Sequence, residues 1–131
     1  MSHYQAPLAD MSFQLFDVWQ VQQFWQQQTE LAELIDTDTA AAILEEAAKI
    51  TAEKIAPLAA AADEQGVSCV SGVVTTPTHY KECYQLLCEG GWTGLSGDPE
   101  YGGMGMPKSL SGLYDEMMCS AAVSYTHLRA H

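Results

Sequence analysis

Apolar residues recur along much of this chain at steps of three and four, the spacing that predicts amphipathic helices. Ser12 can cap a first helix running to about Gln28. Phe13, Phe16, Trp19 (or Val18) and then Gln23 and Phe24 form its stripe, with glutamines opposite. Residues 1–11, with Pro7 and few periodic positions, read as an extended lead-in. Asp36, Thr37 and Asp38 supply cap chemistry for a second helix from about Thr39 to Ile55. Its apolar positions are Leu44, Ala47, Thr51, Ile55 and Leu58. Pro57 should end or kink it, because proline lacks the donor the helix needs. The alanines of 59–62 can carry a short continuation to Gly66, a residue suited to a C-terminal cap.

The periodicity then changes. Residues 67–76 (VSCVSGVVTT) are β-branched around Ser71-Gly72, which predicts a small hairpin. Thr76-Pro77 suits the start of another helix, with Tyr80, Tyr84, Leu87 and Cys88 as its buried stripe and Gly90-Gly91 as its stop. A glycine-rich loop runs from Trp92 to Met106. Pro107 then begins a last helix with Leu110, Leu113, Met117 and Ala121 on one face. The expected fold is mainly α with one minor hairpin, without internal repeats.

The chain has 131 residues, enough for one domain with a single core. Its net charge of -12 argues against nucleic-acid partners, since the scattered basic residues form no patch that could meet phosphates. Cys69, Cys83, Cys88 and Cys119 show no CxxC spacing, so zinc has little support and buried reduced thiols are expected. The start lacks the basic, apolar plan of a signal peptide. No stretch approaches the roughly 20 apolar residues of a membrane span. A cytoplasmic location fits these features.

Residues 102–109, GGMGMPKS, resemble a phosphate-binding loop with Pro107 in place of a glycine. Such a loop needs backbone N–H groups aimed at phosphate and a buried strand before it. Pro107 has no N–H, and LSGDPEY before the loop is no such strand, so a tight turn into a helix is expected instead. His127 and His131 stand at helical i, i+4 spacing without a third ligand. Asp115-Glu116 and Glu45-Glu46 are adjacent pairs, which point apart on a helix and do not form a dyad.

Residues 74–121 carry a combination that resembles the N-terminal domain of acyl-CoA dehydrogenases. It comprises Gly91-Trp92, Gly94-Leu95-Ser96, Pro99-Glu100-Tyr101-Gly102-Gly103-Met104-Gly105 and then Asp115-Glu116. YQAPLADMSFQLFDV (4–18) looks like the extension of a bacterial branch that includes enzymes acting on long-chain and 3-methylthiopropanoyl-CoA substrates. Residues 41–66 are similar to the family's next helix. The resemblance implies an N-terminal extension (1–35) and the family's N-terminal helical domain (36–122), incomplete. VSYTHLRAH (123–131) departs from the family and resembles translated adapter sequence, so a non-native tail is expected there.

The reaction implied is α,β-dehydrogenation of an acyl-CoA thioester. A glutamate would remove the pro-R α-proton and the β-hydride would pass to N5 of FAD. In the family that glutamate and most flavin contacts lie in later domains, so no catalytic residue is assigned here. A truncated chain that is inactive alone and does not hold FAD is the expectation. The family's acyl pocket maps onto Tyr114, Asp115, Met117, Met118 and Cys119, with Tyr101, Gly102 and Gly103 shaping the approach; Met117 and Met118 read equally well as helix core. The full-length enzyme would take acyl-CoA and an electron acceptor and form a homo-oligomer. The rival reading is a stand-alone helical interaction module. From the truncation, Phe13, Phe16, Trp19 and the methionines of the last helix are expected to form an exposed apolar patch.

Overall fold

The structure, a computed structural model, describes residues 4–122. Seven α-helices and a two-stranded hairpin follow one another among these residues. The elements are α1 (Leu8–Ser12), α2 (Val21–Gln26), α3 (Thr29–Leu34), α4 (Thr37–Ile50), α5 (Ala56–Gln65), β1 (Ser68–Val70), β2 (Val73–Thr75), α6 (Tyr80–Glu89) and α7 (Lys108–Ala121). The fold is mainly helical with a small hairpin, as the sequence pattern predicts.

The axis of the fold is one long rod. Asp36 caps α4 by accepting the Thr39 N–H at 2.7 Å; the Thr39 side chain first, and then this N–H, hold its carboxyl below the ordinary carboxylate value. Pro57 does not end the rod. A π-helical turn, Thr51–Ile55, precedes it, so the Ala56 N–H reaches back to the Thr51 carbonyl. Pro57 then falls in the first turn of α5, where a missing N–H is tolerated. The Thr51 hydroxyl donates to the Ala47 and Ala48 carbonyls at 2.8 and 3.0 Å. The Cys83 thiol of α6 donates to the Lys54 carbonyl at 3.4 Å, tying α6 to the π turn. Gly66, at φ 65°, ends α5 as expected.

The long helix buries Ala40, Leu44, Ala47, Thr51 and Ile55 against α7, which answers with Leu110, Tyr114, Met117, Met118 and Ala121. Each fully buried Leu or Met contributes about 1.5–3 kcal/mol relative to exposure.

The N-terminal segment departs from expectation. The helix starts at Leu8 rather than Ser12, and Ser12 is already helical with no side-chain cap. It continues as a π turn, Phe13–Val18, and stops where Gln20 adopts a left-handed conformation (φ 49°). The π turn and this break reset the helical phase. Met11, Leu15 and Trp25 therefore face inward, while Phe13, Val18, Trp19 and Phe24 are exposed and Phe16 is half-buried. Phe16 meets Trp25 edge-on at 6.3 Å, and the Gln22 amide donates to the Phe16 carbonyl at 3.0 Å, pinning the bend.

The hairpin forms where expected. Ser71 (φ 51°) and Gly72 (φ 80°) make the turn, with Ser68 opposite Thr75 and Val70 opposite Val73. The next helix begins at Tyr80, not at Thr76-Pro77: His79 is left-handed, and the Thr78 N–H donates to the Gln65 side chain at 2.9 Å. Its buried stripe is Tyr80, Cys83 and Leu87; Tyr84 and Cys88 lie on exposed faces. The expectation of buried thiols holds for Cys83 alone. Cys69, Cys88 and Cys119 are exposed, and none of the four is in a disulfide. Among the described residues no helix is long and apolar enough to cross a membrane.

Candidate functional site

The glycine-rich segment between α6 and α7 is a tightly constrained loop. Gly91 turns left-handed (φ 76°) and opens a 3-10 turn, Trp92–Gly94; a second, Pro99–Tyr101, is capped by the Asp98 carboxylate accepting the Glu100 N–H at 2.9 Å. The loop then folds back on itself. The N–H of Gly103 bonds the Asp98 carbonyl, Met104 that of Gly94, Gly105 that of Gly97 and Met106 that of Leu95, each at 2.9 Å. Gly103 lies so close to Gly97 that a Cβ there would stand 2.1 Å from the Gly97 carbonyl carbon. Only glycine permits this approach of two backbones.

This geometry decides what the phosphate-like run can do. The N–H groups of Gly102 to Met106 are all occupied by carbonyls of the same loop. Pro107, extended at ψ 145°, then stands at the cap of α7. With the N–H groups of 102–106 taken and none on Pro107, the glycine segment before α7 is a turn and not an anion nest.

Beyond the loop, α7 divides the remaining sequence-predicted site residues between two faces. Tyr114, Met117 and Met118 are core, at 0–1% exposure. The expectation that these methionines are bare is thereby corrected: they pack against the long helix. Asp115 and Cys119 are exposed, one turn apart on the outer face. Tyr101 projects from the loop at 84% exposure, next to Gly102, also exposed, and half-buried Gly103. The tilted Trp92 and Tyr114 rings, 5.1 Å apart, join the loop to α7. The predicted residues thus occupy one loop and one helix coupled through a ring pair, without gathering in the cavities described next.

One cavity, about 600 Å³, lies between alanines of the π turn and α5, the end of α7 (Ser120, Ala121) and Tyr4. The Tyr4 hydroxyl is buried without a hydrogen bond of good geometry. Burial raises its pKa; the nearby Ser120 hydroxyl opposes this and the Glu116 charge adds to it. A second groove, about 550 Å³, runs between Trp19, Phe24, Trp25 and Leu31 and the start of α7 at Pro107-Lys108-Ser109. Neither Tyr4 nor Trp25 stands out in the sequence. The phase reset at Gln20, which turns Trp25 rather than Phe24 inward, carries no strong residue signal. Among the described residues no His, Cys, Asp or Glu cluster suits a metal ion. His127 and His131 lie outside the described residues, as does the expected tail of 123–131.

Comparison with known proteins adds two findings. A family model described as "Acyl-CoA dehydrogenase, N-terminal domain" matches residues 37–131. The 3-methylmercaptopropionyl-CoA dehydrogenase of Ruegeria pomeroyi is 37% identical over 122 residues, 93% of this chain and 20% of that protein. The chain therefore spans about a fifth of the length of the curated relative it matches.

Proposed function

Since the chain belongs to the acyl-CoA dehydrogenase family through its N-terminal domain, we propose that it supplies the N-terminal helical domain of a flavin-dependent acyl-CoA dehydrogenase. The observation that carries this reading is the family match over 37–131, which contains the whole Gly94–Met106 loop. The reaction would be α,β-dehydrogenation of an acyl-CoA thioester, with FAD supplying the redox chemistry. On this reading later parts of the enzyme hold the flavin, and this chain would not hold it alone. The loop's N–H groups are occupied, and the two cavities are walled by alanines or by aromatic side chains. No step through the flavin is assigned to this chain, and no catalytic residue.

The part this domain plays is to present a rigid wall. Asp115 and Cys119 on the outer face of α7, and Tyr101 with Gly102-Gly103 on the loop, would face the acyl-CoA. Tyr114, Met117 and Met118 would fix the helix from behind. The relative's name favours a short sulfur-containing acyl group over a long chain. An electron acceptor and a homo-oligomeric enzyme follow from the same family reading. A cytoplasmic location is part of the same reading.

The test is to express the complete gene that encodes this domain and assay enoyl-CoA formation with an artificial electron acceptor. 3-Methylmercaptopropionyl-CoA and a series of straight-chain acyl-CoAs are the substrates. Dehydrogenation of at least one thioester is expected. A purified, folded product inactive on all of them would overturn the reading in favour of an interaction module.

A further inference from the structure

The β1–β2 hairpin turns both of its faces to solvent. Val67, Val70, Val73 and Val74 are 61–70% exposed, and both strands are exposed at every residue. Between Glu64 and Lys81 the sequence holds no Asp, Glu, Lys or Arg, although the chain as a whole carries -12. Solvated strands ordinarily protect their edges with lysine, proline or a bulge. β2 is followed by Pro77, whose missing N–H blocks continuation along its edge. β1 has no such guard, because Gly66 and Val67 lead into it. The register shows which groups that edge presents. Ser71 and Gly72 both have positive φ, the type I′ geometry of a two-residue turn, so the flanking Val70 and Val73 are a pair that exchanges hydrogen bonds. In an antiparallel ladder such pairs alternate with pairs whose N–H and C=O groups point away from each other. Cys69, opposite Val74, belongs to the second kind, so its N–H and C=O face outward along the β1 edge.

We propose that the β1 edge is a self-pairing surface, on which a second copy of the protein adds its own β1, antiparallel, about a twofold axis at Cys69. The pairing is self-complementary: each copy's outward N–H at Cys69 meets the other's C=O. Charge favours the same occupant. The hairpin is a place where two strongly acidic copies can touch without bringing acids together, and it offers no charged side chain for a basic or acidic peptide to read. Size sets the strength. The hairpin spans eight residues, 68–75, against about 20–30 a side in a standard interface, so the contact is weak and reversible. The inference goes beyond the proposed function and does not depend on it.

In this arrangement the two Cys69 residues stand directly opposite, about 5.5 Å apart between Cα atoms, within the range of a disulfide. The thiol is exposed. The test oxidises the protein encoded by the complete gene with copper(II)-phenanthroline, each thiol giving up one proton and one electron to copper(II), and maps the disulfides by peptide mass spectrometry. A Cys69–Cys69 link, which can only join two copies, is expected. The control moves the thiol, by Cys69→Ser together with Val67→Cys. In this register residue 67 faces residue 71, and the two copies of residue 67 lie about 14 Å apart along the strands, beyond disulfide reach, so linking should fall about tenfold or more. Val70→Glu, which charges the edge of both copies, should lower the Cys69 link by about the same factor. All three positions are exposed, and melting temperature checks the fold of each variant. A missing Cys69 link, or one no more abundant than the link at position 67 or those of Cys88 and Cys119 to themselves, reports no more than collision of exposed thiols and would overturn the proposal. So would a Cys69 link that Val70→Glu leaves unchanged.

Discussion

Replacing Gly103 with alanine is the sharpest perturbation the structure offers. The added Cβ would stand 2.1 Å from the Gly97 carbonyl carbon and oxygen and 2.5 Å from its Cα. All three are backbone atoms, so no flexible side chain can yield. Reaching ordinary contact at 3.4 Å requires an opening of about 1.3 Å. That exceeds what the bonds from Gly103 to Asp98 and from Gly105 to Gly97, both 2.9 Å, can absorb. Losing one or two of them costs about 0.5–1.5 kcal/mol each, and forced overpacking adds about 1–3 kcal/mol. The sum is on the order of 2–4 kcal/mol, a fall in melting temperature of roughly 10 °C for a domain of this size. Two other glycines are internal controls. Gly102 is left-handed (φ 84°) with open space around it, so alanine there costs only about 1–2 kcal/mol of backbone strain. Gly112 is helical and open, so alanine should stabilise by about 0.5–1 kcal/mol. Melting followed by circular dichroism should rank the variants Gly112→Ala, parent, Gly102→Ala, Gly103→Ala from most to least stable. A Gly103→Ala protein that melts with the parent would refute the close approach of the two loop arms.

The other predictions concern the rod, its cap and the N-terminus. Thr51→Val keeps the shape of the π turn but removes the hydroxyl bonds to Ala47 and Ala48, at a cost of about 1 kcal/mol in urea unfolding. Asp36 has a lowered folded pKa, so its contribution is fully present above the ordinary carboxylate value and is lost as pH falls through the folded one. Asp36→Asn should keep the cap near neutrality and remove that acid-side loss, read from melting temperature below about pH 4. Tyr4 has a raised folded pKa, so its contribution is full below the ordinary phenol value and is lost above it. Tyr4→Phe should therefore flatten the stability profile above about pH 10 and leave neutral stability unchanged or slightly higher, because the hydroxyl it removes has no good hydrogen bond.

The sequence is most readable where the three- and four-residue apolar spacing survives, through α4 and across the π turn that follows it. Leu44, Ala47, Thr51 and Ile55 keep their phase through the long helix, and all are buried. Ser71-Gly72 announces its turn through residue type alone. Reading fails where the period is reset by a device with no strong residue signature. The π turn at Phe13–Val18 and the left-handed Gln20 rotate the aromatic stripe outward. His79 delays α6 in the same way. Pro57 was visible as a perturbation, but not that a π turn would absorb it. Of the candidate site, the sequence marks Tyr101-Gly102-Gly103 as special. It does not show that Gly103 is needed because Gly97 lies against it, a contact across the loop that local periodicity does not encode. Nor does it separate Asp115 and Cys119, on the outer face of α7, from Tyr114, Met117 and Met118 beneath them.

The proposed function places this domain in a flavin enzyme that oxidises acyl-CoA thioesters. It is tested most directly by anaerobic titration of the complete, purified enzyme with 3-methylmercaptopropionyl-CoA while the visible flavin spectrum is recorded. A yellow protein whose flavin absorbance bleaches as thioester is added is the expected result. A folded protein that carries no flavin, or whose flavin spectrum is indifferent to this and to straight-chain acyl-CoAs, would contradict it.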